Sequence, residues 1–456
     1  MATLTCNESA NISGTKFIDS RCVVDFRPNN DWKGEYGFDW FRIGDTEERF
    51  ENASRATDYK TLVGKYAPQD PDYGDSAGTL SRRAGGVDHA EELAKEYPRL
   101  SLRGLSDREQ YLIPYLSLYF MSTAKWTEGE PRTLPREMVR KKDDEYVQRG
   151  FCKTKAIVNV LINAKNISHI RFACEDSLTV KPNLISNVPD GKSTQKITIQ
   201  YNYPFTSGHQ AVKAFAYHKD GVTKTFAGQI NVVKCEPKKV NVCFVNVKLQ
   251  INRSISSGIP DNDFIATHKK NLRRFLSQAH VLPQFTTANL DMSQQDMSNN
   301  LSTRTISRNG RQYNINVVLK YSANNHDTDG NILERHFNKK YPRLANSYKI
   351  FFFGEYGLSV TSSGEKYLGG HANGIPSKGL VIYKKPTESV VSHEIMHCFG
   401  LYHSFSNKGK HTFKKKETNN IMDYSSGCIS LLRWQWNLIR KASGLRNVLK
   451  KNGKHR

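Results

Sequence analysis

The sequence predicts a multidomain protein whose C-terminal half is an α/β domain, preceded by an immunoglobulin-like β-sandwich and an N-terminal α+β region. Strand-type and helix-type patterns alternate in residues 237–456, which is typical of an α/β sheet. Short β-type segments recur across residues 150–236, with turn residues between them. The chain has 456 residues, which is more than one ordinary domain accommodates. We therefore divide the chain into regions 1–149, 150–236 and 237–456.

Region 1–149 is the least regular part of the sequence. RCVVDFRP (21–28) and YGFDWFRIG (36–44) have the pattern of strands, and SDREQYLIPYLSLYFMS (106–122) has that of a helix opened by a serine cap. No residue pattern in this region indicates chemistry. We expect it to serve delivery or docking, and we expect the N-terminal 235 residues together to be dispensable for chemistry but required for delivery.

Region 150–236 is rich in apolar and β-branched residues at strand spacing. Its strand-type segments are AIVNVLINA, ISHIRFAC, KITIQYNY, HQAVKAFAYHK and TKTFAGQINVVK. Their regular recurrence predicts the β-sandwich, and such a domain more often binds or spaces than catalyses.

Region 237–456 alternates between the two patterns. Residues 240–251, 313–321 and 348–356 read as strands, and 268–281 as a helix. GGHANGIPSKGLVIY (369–383) is glycine-rich and then apolar. CISLLRWQWNLIRKA (428–442) predicts a closing amphipathic helix.

HEIMHCFGLYH (393–403) carries the clearest chemistry. His393 and His397 are one helical turn apart and project from one face, where they can hold a single ion. Glu394 is rotated away from the ion but can take a proton from water, as a general base does. Gly400 can end the helix in a left-handed conformation and bring His403 to the same ion. Three imidazoles with one open position are the ligand set of catalytic zinc, so we expect one Zn²⁺ per chain.

The same residues resemble the signature HExxHxxGxxH of the metzincin zinc metallopeptidases, which is matched at every fixed position. NNIMDYS (419–425) places Met422 nineteen residues after His403 and is similar to the methionine turn of that group. The pattern looks most like the pappalysin-type branch, with the astacin and serralysin types as close alternatives. The resemblance implies peptide-bond hydrolysis through a zinc-activated water. It also implies that Met422 supports the ligands from below and that Tyr424 stabilises the oxyanion.

The metzincin resemblance also suggests where a protein or peptide substrate binds. In that group a sheet-edge strand ahead of the zinc helix pairs with extended substrate through main-chain hydrogen bonds. Gly370, His371 and Ala372 are the residues expected near this edge.

WKGEYGFDWFRIGDT (32–46) is similar to N-terminal regions of bacterial type VI secretion effectors. This resemblance implies a secreted effector or toxin that contacts a secretion-apparatus component. The first thirty residues have no basic start followed by an apolar run, which predicts synthesis in the cytoplasm and export without a signal peptide. No segment approaches the eighteen apolar residues of a transmembrane helix.

The positive charge is concentrated in the C-terminal half. Residues 236–456 hold 34 Lys and Arg against 14 Asp and Glu, a net +20 out of +23 for the whole chain. This charge favours acidic partners, such as an acidic immunity protein. No specific nucleic-acid motif is present. We interpret KGKHTFKKK (408–416) as a solvated loop.

The eight cysteines show no CxxC spacing, so the sequence does not indicate a second metal site. Two roles for cysteines stay possible alternatives. Cys398 and Cys428 could oxidise to a pair after export, and the Cys22 thiolate could cap the zinc in a latent form of the protein. Two functional alternatives also stay open: a zinc-containing binding or delivery protein without activity, and a cell-wall peptide amidase. The presence of Glu394 favours an enzyme.

Overall fold

The computed structural model describes most of the chain at the level of individual residues. The described residues are 20–42, 58–67, 79–102, 105, 110–118, 138–140, 146–148, 155–201, 209–233, 237–251, 254–259, 262–293, 300–308, 311–320, 328–361, 364–384, 389–425 and 427–447.

Strands dominate the described residues. In the first half they are β1 (Arg21–Pro28), β2 (Gly37–Asp39), β3 (Val63–Ala67), β4 (Thr79–Ser81), β5 (Arg99–Leu100), β6 (Tyr111–Leu112), β7 (Tyr115–Ser117), β8 (Met138–Arg140), β9 (Tyr146–Gln148), β10 (Lys155–Lys165), β11 (Ile167–Ala173), β12 (Leu178–Lys181), β13 (Leu184–Ser186), β14 (Gly191–Tyr201), β15 (His209–His218) and β16 (Lys224–Val233). In the second half they are β17 (Lys238–Ile251), β18 (Ser254–Ser257), β19 (Val281–Asp291), β20 (Leu301–Arg308), β21 (Arg311–Leu319), β22 (Tyr348–Phe352), β23 (Tyr356–Thr361), β24 (Gly364–Leu368), β25 (Gly370–Ala372), β26 (Gly379–Ile382), β27 (Thr412–Phe413) and β28 (Arg446–Asn447). The α-helices are α1 (Tyr59–Leu62), α2 (His89–Ala94), α3 (Asn262–Gln278), α4 (Asp329–Lys340), α5 (Val390–Cys398) and α6 (Arg433–Lys441).

Two sheets face each other in the first half and share one core. One has the order β1-β10-β14-β12, the other β13-β11-β15-β16-β7-β2. Val24 of β1, Val160 of β10 and Val212 of β15 are all fully buried in this core. They alternate with more exposed neighbours, as the two-residue period of a strand requires. The predicted β-rich architecture with several sheets is confirmed.

The sandwich takes strands from both sides of the predicted boundary at 149/150. β1 runs antiparallel to β10, with Arg21 opposite Lys165 and Pro28 opposite Val158. β7 lies between β16 and β2. The strand patterns at 21–28 and 36–44 were therefore useful, but a strand pattern does not name its partner. The predicted boundary at 236/237 stays a prediction.

The helix predicted over 106–122 is wrong wherever the structure describes it. Residues 111–112 and 115–117 form β6 and β7 instead. Pro114 lies between them, and a proline inside a helix removes a hydrogen bond and clashes with the preceding turn. The spacing of the apolar residues in 106–122 is compatible with a helical face, but Pro114 favours a break in that helix.

A mixed sheet in the second half has the order β18-β17-β22-β26-β25, and β19 also pairs with β17. Strands β17, β19, β22 and β26 pair in parallel, while β25 runs antiparallel to β26 at the edge. Alternate residues of β17 enter two different cores. Val242 packs with α3 and α5, and Val245 packs with α4. Helices therefore cover both faces of this sheet.

Segment 405–416 is packed against the N-terminal part of the chain. Thr412 and Phe413 form β27, which runs antiparallel to Gly64 and Val63 of β3. Both residues of β27 are buried, with exposures of 0% and 1%. The interpretation of 408–416 as a solvated loop is therefore wrong at its centre, because its two apolar-facing residues pair with a strand that is distant in sequence. No helix in the described part of the chain is both long and apolar enough to cross a membrane.

Candidate metal centre

Helix α5 presents the first two histidines. Val391, Ile395 and Cys398 fix one side of the helix in the core and are all fully buried. His393 and His397 are separated by one turn, and their ring centroids lie 4.8 Å apart. Both histidines are buried, so the turn that carries them lies within the protein.

The helix ends at Gly400, as its sequence predicts. Gly400 has a φ of +97°, a left-handed conformation that residues with a Cβ adopt only at a cost. Its N–H donates to the His397 carbonyl over 2.8 Å, and the Leu401 N–H donates to the Met396 carbonyl over 3.0 Å. These two bonds form a Schellman motif. The chain then turns and brings His403 beside His397, with ring centroids 4.6 Å apart.

The backbone fixes the tautomers of the two helix histidines. His393 Nδ1 lies 2.9 Å from the Ile421 carbonyl, and His397 Nδ1 lies 2.6 Å from the Leu401 carbonyl. A carbonyl can only accept, so each Nδ1 carries the proton. Each Nε2 is therefore left with a free lone pair, which is the form of imidazole that binds a metal.

The residues present fit a metal ion. The ligand nitrogens of His393, His397 and His403 all lie within 4.8 Å of one another. His397 Nε2 and His403 Nε2 are 3.1 Å apart, close to the about 3.3 Å that two nitrogens on one tetrahedral zinc would have. Among the described residues, the buried Nε2 of His393 has no hydrogen-bond partner. A buried polar atom without a partner needs an explanation, and a cation supplies one.

Burial keeps the imidazoles of His397 and His403 neutral. Loss of solvent, followed by the proximity of His393, lowers the pKa of His397 to about 3. Burial also lowers the pKa of His403 well below its usual value, reinforced by His397 and His393 and then by Lys415 and Lys366. Neutral, desolvated nitrogens favour the binding of a metal cation.

Tyr424 lies at the exposed side of the cluster. Its hydroxyl is 3.0 Å from His403 Nε2, and the residue is 43% exposed. Phe405 stacks on the His403 ring at 4.8 Å with an interplanar angle of 7°. The Lys415 ammonium lies over the Tyr424 ring at 5.4 Å. The predicted tyrosine is therefore beside the ligands and open to an incoming molecule.

The turn at 419–425 supports the site from the core. Met422 is fully buried, and its carbonyl accepts from the Ser404 N–H next to His403 over 2.9 Å. Asp423 organises the turn, because its carboxylate accepts from the backbone N–H of Lys416, Thr418 and Tyr424. Since Ile421 also holds His393, this single turn contacts the surroundings of two ligands.

Glu394 faces the edge strand. Its Oε2 accepts from the Ala372 N–H over 2.9 Å, while Ala372 lies opposite Leu380 of β26 on its other side. The structure thus places Gly370 and Ala372 on the outer edge strand β25, next to the predicted general base.

The side chain of His371 is occupied elsewhere. It is 7% exposed, and its Nε2 lies 2.9 Å from Asp329 Oδ1. The Tyr383 hydroxyl donates to the other oxygen of Asp329 over 2.6 Å. The His371 side chain therefore ties β25 to the start of α4.

Sequence reasoning missed several residues around the turn. Asp423 is one of them, although a short acidic side chain inside a turn commonly accepts from neighbouring N–H groups. Gln435 of α6 bonds Asn420, and Arg42 bonds Asn419. No local signal indicates the last two pairs, since they join distant parts of the chain.

The described cysteines Cys22, Cys174, Cys243, Cys398 and Cys428 are all free thiols. Burial raises the pKa of Cys398 to about 12 and that of Cys428 to about 11. Cys22 lies in the sandwich core, whereas the histidines pack with the core of the mixed sheet. The alternative in which Cys22 caps the metal is therefore wrong for this conformation.

Comparisons with known proteins leave the family open. No protein-family model and no curated protein matches the chain. Solved structures that resemble it include a family 123 glycoside hydrolase from Clostridium perfringens and SGBP-B of the Bacteroides ovatus mixed-linkage glucan utilisation locus, in complex with a mixed-linkage heptasaccharide.

These likenesses are faint. The hydrolase is 8% identical with a TM-score of 0.13, over 47% of this chain and 46% of its own. SGBP-B is 9% identical with a TM-score of 0.09, over 67% of this chain and 81% of its own. The chain thus spans less than half of the glycoside hydrolase, and neither similarity carries an argument about fold or activity.

Proposed function

We propose that this chain is a zinc-dependent endopeptidase of the metzincin type. One observation carries the proposal: three buried histidines whose ligand nitrogens lie within 4.8 Å, two of them on a helix that also carries Glu394 and the third, His403, just beyond the end of that helix. Three imidazoles leave a position open for water and substrate, whereas a structural zinc site usually fills all four. The helices on both faces of the mixed sheet agree with an α/β catalytic domain.

The chemistry follows from the positions of the side chains. A zinc ion bound by His393, His397 and His403 would act as a Lewis acid on water and on the substrate carbonyl. Glu394 takes the proton of the attacking water and returns it to the departing amine. The Tyr424 hydroxyl, beside His403, donates to the oxygen that becomes negative.

The substrate we propose is an extended peptide lying along β25. β25 is the last strand of its sheet, and Glu394 contacts its Ala372 N–H. A peptide paired with this edge would place a backbone carbonyl near the general base and the metal ligands.

The proposal is tested by metal analysis and hydrolysis on the same preparation. We expect about one zinc per chain and cleavage of an unstructured protein such as casein. Glu394→Gln keeps the size of the side chain and leaves the imidazoles in place, but its amide cannot accept the proton. We expect zinc to remain bound while hydrolysis falls by about 10²–10⁴-fold.

The outcomes separate the alternatives. Purified protein with no zinc, or with two, refutes the site. A biological effect that persists in Glu394→Gln with zinc bound favours a binding or delivery protein. Cleavage of peptidoglycan peptides without cleavage of casein favours the amidase.

We also propose a role for the chain as an exported effector, on the similarity of residues 32–46 to secretion effectors and on the +20 charge of residues 236–456. The aromatic side chains Trp32, Tyr36, Phe38, Trp40 and Phe41 are buried. A secretion component would therefore contact other residues of this region. An acidic immunity protein fits the charge.

A further inference from the structure

Arg42 is a buried cation that lies far in sequence from the metal ligands. It is 2% exposed and sits between aromatic rings, with its guanidinium carbon 3.8 Å from the centre of the Trp40 ring and 4.8 Å from that of Tyr59. Its Nη1 donates to the Tyr59 hydroxyl. Its Nη2 donates over 2.8 Å to Oδ1 of Asn419.

A buried guanidinium is costly to desolvate, so its place needs a reason. Arg42 is held by the neutral groups just named and by the field of Asp39, which is itself buried and accepts from the Arg433 N–H and the Tyr97 hydroxyl. The rigid fork of an arginine fixes direction as well as charge. Here the direction is toward the turn that carries Met422 and Tyr424.

From Asn419 the contacts continue to the ligands within a few residues. The Asn419 carbonyl accepts from the N–H groups of Ile429 and Ser430, and the Ile421 N–H donates to the Ser430 carbonyl. The Ile421 carbonyl in turn accepts from His393 Nδ1. Arg42 is thus joined to a ligand through one side chain and one short stretch of backbone.

The beginning of the segment between His403 and Tyr424 is also held by the N-terminal part of the chain. Lys65 donates through Nζ to the Asn407 carbonyl over 2.9 Å, and the Tyr66 N–H donates to Asn407 Oδ1 over 3.0 Å. The Lys414 N–H donates to the Leu62 carbonyl. The segment between His403 and Tyr424 is therefore bound at both ends by residues 42–66.

We propose that Arg42 is a positioning residue of the metal centre, which sets the turn at 419–425 and through it His393 and Tyr424. The N-terminal part of the chain is then a component of the site and not a separate delivery unit. This inference rests on the proposed metal site, but it does not depend on which bond the protein hydrolyses.

The test measures zinc affinity by competition with a chelator, together with the melting temperature of the metal-free protein, in the full chain. Arg42→Met keeps much of the volume and removes the fork. We expect zinc affinity to fall by about 10- to 100-fold, as for other groups that orient metal ligands. Arg42→Lys keeps the charge without the fork and should recover little of the affinity.

Arg433→Met is the matched control. Arg433 lies at the same junction, where it donates to the Glu96 carbonyl over 2.8 Å and stacks over Tyr115 at 4.2 Å. We expect this variant to melt at a lower temperature with unchanged zinc affinity. Asn419→Ala removes the bond to Arg42 from the other side, and combined with Arg42→Met it should weaken zinc binding no further than either change alone.

Two results would overturn the inference: an Arg42→Met protein that binds zinc as tightly as wild type, or equal losses of affinity in Arg42→Met and Arg433→Met. If Arg42→Met does not fold, Asn419→Ala decides, because unchanged affinity in that variant has the same meaning. A wild-type chain without zinc overturns this inference and the proposed function together. Zinc bound without hydrolysis, and lost in Arg42→Met, overturns only the proposed function.

Discussion

At the scale of single residues, the site is defined by which nitrogen of each histidine carries the proton. The carbonyls of Ile421 and Leu401 each accept a hydrogen bond from an Nδ1–H group, and this leaves both Nε2 lone pairs directed toward a common point. The histidines alone therefore do not make the site. It requires two backbone carbonyls that are placed by a turn and by a helix end.

Tyr424→Phe tests the role of the tyrosine hydroxyl. Because the hydroxyl lies beside His403 and is not needed to hold it, we expect zinc affinity to change by less than about threefold. Hydrolysis should fall by about 10- to 100-fold, mainly in kcat, since the loss concerns a donor used in the transition state. Steady-state kinetics with a fluorogenic peptide measures this.

Tyr217→Phe in the sandwich is the control, since this ring stacks on His169 far from the ligand cluster in sequence. Unchanged kcat in Tyr424→Phe would show that the hydroxyl does not take part in the reaction.

Prediction from sequence succeeded where the chemistry is local. The spacing of three histidines and a glycine over eleven residues sufficed for α5, its left-handed end and the ligand cluster. It failed for Arg42 and Asn419, which are 377 residues apart. A single sequence carries no sign of such a pair, because neither residue type is unusual in its own surroundings.

At the scale of elements, the junction between α2 and segment 405–416 depends on one acid. Glu96 pairs with Lys410 and lies 3.4 Å from His411 and 3.7 Å from Arg433. The hydrogen bond from His411, followed by Lys410, lowers the pKa of Glu96 from 4.5 to about 2. A carboxylate with a lowered folded pKa stabilises the fold above its unfolded pKa and loses that contribution as the pH falls.

We therefore expect Glu96→Gln to lower the melting temperature at pH 6, and the difference from wild type to shrink between about pH 4.5 and pH 2. Thermal unfolding over this pH range measures it. Glu92→Gln is the control on the same side of the molecule, where Glu92 pairs with the exposed Lys95 at the surface. A difference that persists unchanged at pH 2 would mean that Glu96 acts through shape and not through charge.

Sequence patterns predicted the type of a single element reliably, but they did not predict which elements pair with each other. The strands at 240–251 and 348–356 and the helix around 268–281 are present as β17, β22 and α3, with shifted ends. The alternation of apolar and polar residues that predicts a strand does not indicate its partner strand. The sequence therefore did not predict that β3 pairs with β27.

At the scale of the whole molecule, contacts between the two halves lead us to predict that the N-terminal 235 residues are not dispensable for the proposed metal site. We expect a fragment of residues 237–456 to bind zinc more weakly than the full chain and to melt at a lower temperature. It lacks Arg42, β3 and Glu96, so Phe413 and the turn at 419–425 lose their partners. A fragment that matches the full chain in both measurements would restore the original expectation.

The positive charge of residues 236–456 predicts how peptide cleavage depends on salt concentration. Residues 236–456 carry a net charge of +20. We therefore expect an acidic peptide to be cleaved with a higher kcat/KM at 50 mM salt than at 500 mM salt. Added salt shortens the distance over which the positive charge attracts the peptide. A neutral peptide of the same length is the control and should change little. Equal salt dependence of the two peptides contradicts a role for this charge in substrate encounter.

The pairing of β3 with β27 also bears on when the proposed metal site forms during synthesis of the chain. Lys65 leaves the ribosome long before its partner Thr412, 347 residues later. Until that partner is made, β3 has no β27 to pair with, and Arg42 has no turn to hold. A growing chain therefore carries the site only as disconnected pieces. Long-range closure of this kind is slow compared with local folding, so the proposed metal site is completed only after the turn at 419–425 has been made and has reached Arg42.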